Sequence, residues 1–256
     1  MLFEPLMKKL YAMKLNGMAA ALEEQRKDSQ ITSLPFEDRL AMLVERHYLF
    51  RENRALKNRL HYAGLKDAGP CVENINYRAE RNLSRSQLEV LIGPEWIKQG
   101  RHALLTGATG LGKSYIAEAL AKQACRNGFR TLLFYSPKMF RTIKTAELDG
   151  SLPKLLGKFA KVDLLVIDDF GLEKATPADY RLFLEVLQDR IGQTSTLITT
   201  QYAVGVWHEL IKDNTVADAI CDRIVHCSYR IDLQGESMRD PKNHCTSTPN
   251  SQDDHA

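Results

Sequence analysis

The sequence predicts an α/β P-loop fold: a five-stranded parallel sheet flanked by helices, preceded by a small all-helical N-terminal domain. Three observations predict it. From residue 102 onward, short apolar runs alternate with helix-length segments, the rhythm of parallel strands joined by crossover helices. The first run leads straight into GATGLGKS, residues 107–114, a full match to G-x-x-x-x-G-K-[ST]. Before residue 100 there is no strand-like run, and apolar positions recur at helical spacing.

The elements follow in order. Leu6, Leu10, Met13 and Gly17 keep helical spacing in the first segment. Ser33 is placed as an N-cap, with Pro35, Glu37 and Asp38 in the first turn and Gly64 as the stop. One helix over that stretch would be about 45 Å long. Its stripe changes side: Phe36, Leu40, Leu43 and Val44 share a face that continues as His47, Arg51, Arg54 and Asn58. The helix therefore docks with its first half and presents a basic face with its second, or it breaks near residue 48. Ser84 and Gln87 form a capping box that opens another helix, ended by Gly93-Pro94. Strands are expected at 102–106, 131–135, 163–168, 195–199 and 228–233. Helices are expected at 113–126, stopped by Gly128, and at 177–190, capped by Thr176 with Pro177 first. The domains are then 1–92, helical and a candidate for DNA or partner binding; 93–240, nucleotide-binding; and 241–256, a disordered tail rich in Pro, Asn, Ser, Thr and Asp.

Composition excludes several classes. The 256 residues are 44% hydrophobic and 26% charged, ordinary for a globular chain. No apolar run approaches the ~18 residues of a membrane span, and the first residues lack a signal-peptide layout, so a cytoplasmic protein is expected. Five cysteines with no C-x-x-C pair fit reduced thiols. Net charge is only +3, but it is unevenly placed: residues 1–90 hold 15 Lys/Arg against 12 Asp/Glu, and the rest balances. Within residues 46–62, Arg46, Arg51, Arg54, Lys57 and Arg59 face one acid, Glu52, making them DNA-binding candidates. The plainer alternative is a solvated helix face.

The chemistry is carried by two motifs. In 107–114, Gly107, Gly110 and Gly112 let the backbone curl so that N–H groups of the loop, with Ala108, Thr109 and Leu111 between them, point at phosphate. The helix starting at Lys113 adds its positive end. Lys113 is assigned to the β- and γ-phosphates of ATP, Ser114 to Mg²⁺, and Tyr115 is included in the binding segment. In LLVIDDFG, 164–171, an apolar strand delivers Asp168 and Asp169 to the carboxyl edge of the sheet, where open α/β sheets bind ligands. Asp168 is the second Mg²⁺ ligand and Asp169 a candidate to orient the attacking water. Read alone, the pair would be turn aspartates capping the next helix. Thr199, Thr200 and Gln201 end a later strand, and Thr200 and Gln201 are sensor candidates. Arg223 and Arg239 are candidates for an arginine that contacts γ-phosphate, or else surface charges.

Together GATGLGKS, LLVIDDFG, ITTQY, DRIVH and GESMR resemble the IstB family. The N-terminal stretches LNGMAAALEEQ, LPFEDRLAMLVERH, RENRALKNRL and ENINYRAERNLSR extend the resemblance to nearly everything before residue 240. It implies an AAA+ core with strand order 5-1-4-3-2, ATP-dependent homo-oligomer assembly on double-stranded DNA, and cooperation with a transposase. It also implies similarity to DnaC-type helicase loaders. The broad AAA+ pattern has Asp-Glu where this chain has Asp168-Asp169, so hydrolysis is expected to be slow or stimulated by DNA or a partner. Few residues follow the last strand, which leaves no room for a helical lid and puts a lid-borne role for Arg239 in question.

Three functions are compatible with these residues. A DNA-binding helper ATPase of a transposase is favoured by the basic stretch. A helicase loader would need no tight duplex binding. A small-molecule kinase is poorest, because the double aspartate and Arg223 suit hydrolysis between subunits.

Overall fold

The computed structural model describes residues 3–77, 80–173 and 175–239; the tail at 241–256 lies outside them. The chain forms two compact units, one up to Arg59 and one from Leu60 onward. The boundary thus falls before residue 60, and not near 92 as the change of rhythm implied. Packing explains the difference. Leu65, Ile75, Leu83, Leu88 and Leu91 are buried, and α5 (Arg85–Ile92) contacts α7 (Lys113–Arg126) in the second unit. Helical spacing identifies an element without saying which core it joins.

The first unit is helical, with α1 (Phe3–Ala12), α2 (Asn16–Lys27), α3 (Ser29–Thr32) and most of α4 (Phe36–Ala63). The chain turns between α1 and α2 at Lys14, which has φ 60°. On α2, Gly17 has no side chain because a Cβ there would lie 2.7 Å from the His47 Cα, so the two helices touch backbone to backbone. Ser33 does not cap α4; its Oγ donates to the Gln30 carbonyl at 2.7 Å and closes α3, which Asp28 caps. α4 runs unbroken through residue 48 for 28 residues and stops at Gly64, where φ is +77°. The expected docking face is displaced. Phe36, Leu40 and Val44 are 69%, 40% and 53% exposed, whereas α2 meets the side carrying Arg39, Arg46, His47 and Phe50. Buried Gln25 fixes that pairing by donating to the Arg39 carbonyl at 3.0 Å.

In the second unit, β1 (His102–Gly107), β2 (Thr131–Tyr135), β3 (Leu164–Phe170), β4 (Ser195–Thr200) and β5 (Ser228–Leu233) form one parallel sheet ordered β2-β3-β4-β1-β5. That is the order implied by the resemblance. Alternate strand residues feed two layers. Leu104, Leu165, Ile167 and Ile198 join Phe140, Phe170, Tyr180, Phe183 and Trp207 on one face. Phe170 ends β3, and the other four aromatic rings come from α8 (Ser136–Leu148), α10 (Pro177–Gln188) and α11 (Trp207–Ile211), with α9 (Leu152–Ala160) and α12 (Asn214–Val225) beside them. α7 covers the other face with Ile116, Ala117, Leu120 and Ala121 buried. Short α6 (Glu95–Lys98) leads into β1, and Trp96 inside it donates to the Leu91 carbonyl. The capping boxes of Ser84 with Gln87 and of Thr176 with Asp179 both form. Because all five strands run the same way, their carboxyl ends share one edge, and the loops after β1, β3 and β4 meet there.

Candidate nucleotide-binding site

The loop after β1 is shaped by glycine. Gly107, Gly110 and Gly112 have φ of 135°, 91° and 86°, values that a residue with a Cβ rarely adopts. At Gly107 a Cβ would also lie 2.3 Å from the Leu233 carbonyl oxygen. Gly112 is the N-cap of α7 and makes no side-chain cap bond, so the first N–H groups of the helix receive no side-chain acceptor from the cap and are suited to an anion. Lys113 is 5% exposed, and its Nζ donates to the Gly107 and Ala108 carbonyls at 2.7 and 2.8 Å. Burial lowers its pKa, while the charges of Asp169 and Asp168 oppose that shift. The ammonium is therefore held inside the loop and near both carboxylates. Thr109 reaches across to Gln201, with Oγ1 donating to Oε1 at 3.0 Å. Tyr115 interacts with Cys71, on the segment before α5.

β3 supplies the carboxylates. Its pairing with β4 is regular to Ile167 and then shifts, with Asp169 at φ 54° inside the irregularity. Thr199 holds the pair. Its Oγ1 donates to Asp168 Oδ1 at 2.6 Å and accepts from the Asp169 backbone N–H at 2.9 Å. Burial, then the neighbouring Asp168 charge, raise the Asp169 carboxyl above the usual range, opposed by Lys113 and Arg239. Thr200 turns the other way: it is fully buried and donates to the Phe170 carbonyl at 2.8 Å. Of the two sensor candidates, the one that reaches the loop is Gln201, and the neighbouring Thr199 is the residue that touches the carboxylates.

Arg239 and Arg223 occupy opposite edges. The chain after β5 returns across the loop, where Met238 N–H donates to the Gly110 carbonyl at 2.8 Å, which brings the charge of Arg239 to bear on Asp169. Arg223, in the last turn of α12, donates from Nη1 to the Ala219 carbonyl, and among the described residues its buried Nε meets no acceptor. It lines a cleft of about 540 Å³ with Gly100, His102, Asp222 and His226, at the edge where β1 and β5 begin. β1 is six residues long, so roughly 20 Å of strand separates Arg223 from the loop of its own chain. Sequence reasoning passed over Arg81, which is buried and reaches the loop's Leu111 carbonyl.

Mg²⁺ fits the donors present. Ser114 follows Lys113 at the start of α7, and Asp168 lies near the carboxyl end of β3; both offer hard oxygens. Among the described residues, no group of three or more His, Cys, Asp or Glu could hold an ion alone, so phosphate and water must complete such a shell.

A glycine-shaped loop feeding a helix at the carboxyl edge of a five-stranded parallel sheet, with paired aspartates beside it, defines a P-loop NTPase of the AAA+ class. The family model described as IstB-like ATP binding protein matches residues 8–246, and the chain belongs to that family. A protein of Sinorhizobium fredii named as an insertion sequence ATP-binding protein is 40% identical over 93% of this chain and 97% of its own length. A similarly named protein of the Pseudomonas fluorescens insertion sequence IS1162 is 37% identical over 78% of this chain and 87% of its own. The solved structure of DnaI shares the fold with a TM-score of 0.54 and 20% identity, over 64% of this chain and 91% of that one. The DnaC helicase loader gives 0.50 and 21%, over 62% and 95%. Among the described residues no helix is long and apolar enough to cross a membrane.

Proposed function

We propose that this protein is an ATP-hydrolysing, DNA-binding helper of a transposase, assembling as a homo-oligomer on double-stranded DNA and recruiting or activating its transposase. The observation that carries the enzymatic half is the group at the sheet edge: Lys113 inside the loop, with Asp168 and Asp169 held together by Thr199. In this reading the loop N–H groups and Lys113 bind the phosphates, which are charge-assisted acceptors stronger than the carbonyls Lys113 now meets. Ser114 and Asp168 hold Mg²⁺, which neutralises charge on the β- and γ-phosphates when bound. Asp169 orients water; its raised pKa makes it a better proton acceptor than an ordinary aspartate. Water adds to the γ-phosphorus as the bond to the β–γ bridging oxygen breaks, and ADP and phosphate leave.

The DNA half rests on α4, where Arg51, Arg54 and Lys57 are exposed on consecutive turns, and on the naming of the relatives for insertion sequences. The second reading, a loader of a replicative helicase, is supported by the fold shared with DnaC.

Phosphate release and nucleotide titration test the site. Lys113→Ala is expected to weaken ATP binding and end turnover. Asp168→Ala should keep part of the binding while losing Mg²⁺-dependent turnover by at least about 10²-fold. Turnover at the parent rate in Lys113→Ala would overturn the assignment.

A further inference from the structure

Arg81 is 4% exposed, precedes the sheet by some twenty residues, and belongs to none of the nucleotide motifs. Its Nη1 donates to the Leu111 carbonyl at 2.7 Å and its Nη2 to the Asn76 carbonyl at 2.7 Å. The same Nη1 lies 2.7 Å from where a Cβ on Gly112 would be, so the guanidinium occupies the space that glycine leaves at the N-cap of α7. The backbone of Arg81 is fixed too, since its carbonyl accepts from Gln234 N–H, and Gly235 packs on the Glu80 carbonyl.

What this arrangement lacks is an anion. Among the described residues Arg81 has no carboxylate partner, and its buried Nε meets no acceptor. Two carbonyls satisfy hydrogen bonds without neutralising charge. A buried, uncompensated cation is costly, and such a cost is recovered only when a counter-charge arrives. The guanidinium sits at the start of the helix whose N-terminal N–H groups form the proposed phosphate cradle.

We propose that Arg81 is a second cation of the nucleotide site, beside Lys113, whose positive charge is compensated by the phosphate chain of a bound nucleoside di- or triphosphate. This rests on the P-loop reading above. Arg81 binds and positions: it braces Leu111 at the crown of the loop and lowers the cost of placing ADP or ATP there. It takes no part in bond breaking. Because it contacts Asn76 and Leu111 at once, it also ties the segment before α5 to nucleotide occupancy.

The test is competition of ADP and of ATP against a fluorescent ADP analogue, for the parent, Arg81→Gln, Arg81→Lys and Lys113→Ala. A thermal melt without nucleotide checks that each variant is folded. Arg81→Gln is expected to weaken ADP and ATP by about 10-fold or more, the size of a charge-assisted contact. Arg81→Lys, which keeps the charge and loses the fork, should restore most of that. Affinity in Arg81→Gln equal to the parent overturns the proposal. Equal weakening in the Gln and Lys variants overturns it as well, because the fork would then only brace the loop. If the parent binds neither nucleotide, or Lys113→Ala binds both as the parent does, the P-loop reading itself has failed, a result distinct from either outcome for Arg81. Should Arg81→Gln not fold, the Lys variant decides: parent-like affinity supports the charge role, and a loss of 10-fold or more refutes it.

Discussion

His102 opens β1 and is 3% exposed, with its Nδ1 accepting the Thr196 backbone N–H at 3.1 Å. An acceptor nitrogen must be unprotonated, and burial together with the nearby Arg190 charge pushes the pKa down to about 4. In the unfolded chain the same imidazole titrates near its ordinary 6.5, so between those values the unfolded state binds more protons. The stability contributed by neutral His102 is full above pH 6.5 and is lost as pH falls through 6.5 toward 4. The loss should reach about 2 kcal/mol at pH 5. Urea unfolding at pH 7.5 and pH 5 measures it, and His102→Phe should remove that part of the difference. No shift in the variant would mean other groups carry the pH dependence. The side chains that fit a short motif were legible before any coordinates: Lys113, Ser114 and Asp168 stand at fixed offsets from glycines or at the end of an apolar run. Thr199 was legible only as part of a polar strand end, and Arg81 not at all, because each acts through a partner about 30 residues away, Asp168 and Leu111 respectively. Sequence spacing holds no trace of such contacts.

Elements with a local cause were equally readable. The strands at 131–135 and 228–233 and the helix at 113–126 fall where the sequence pattern placed them, as do the Ser84–Gln87 capping box and the Thr176 cap. α4 shows why the rest was not. Its apolar residues are spread around the helix, and what selects the docked side is Gly17, a residue on another helix that permits close approach. Beyond that contact, Arg51, Arg54 and Lys57 are exposed, while Arg46 pairs with Glu24 at 3.4 Å. A basic helix side matches the line of phosphates on a duplex without reading bases. Each Lys or Arg meeting a phosphate contributes a log–log salt slope of roughly −0.9. Replacing Arg51, Arg54 and Lys57 together by Ala should flatten the slope by about 2 to 3 units, similarly for unrelated sequences, and leave ATP turnover without DNA intact. Fluorescence anisotropy of a duplex over a salt series, with and without ATP, reads this. Strong binding unchanged in the triple variant would place DNA elsewhere. No salt-dependent duplex binding by the parent would favour the loader reading.

At the scale of the whole molecule the position of Arg223 imposes a geometric condition. It lies at the edge where the strands begin, whereas the loop and its carboxylates lie at the edge where they end. No rotamer of an arginine spans a strand of roughly 20 Å, so an Arg223 that contacts a γ-phosphate must contact that of a second copy. The 540 Å³ cleft around it, with Nε buried and without an acceptor among the described residues, is where such a neighbour would dock. The prediction follows from trans action. Arg223→Ala should bind ATP with parent affinity as a monomer, yet lose turnover by about 10³-fold, the scale of an arginine finger, and fail to form the ATP-dependent oligomer. Light scattering with and without ATP reads assembly, and phosphate release reads turnover. Mixing makes the test specific. Lys113→Ala carries an intact Arg223 and a defective loop, and Arg223→Ala carries the reverse. If the arginine acts across an interface, the two inactive proteins combined should recover measurable turnover, because some interfaces pair an intact loop with an intact arginine. If Arg223 only supports its own fold, the mixture stays as inactive as its parts, and a variant that assembles and turns over normally returns Arg223 to an ordinary surface charge.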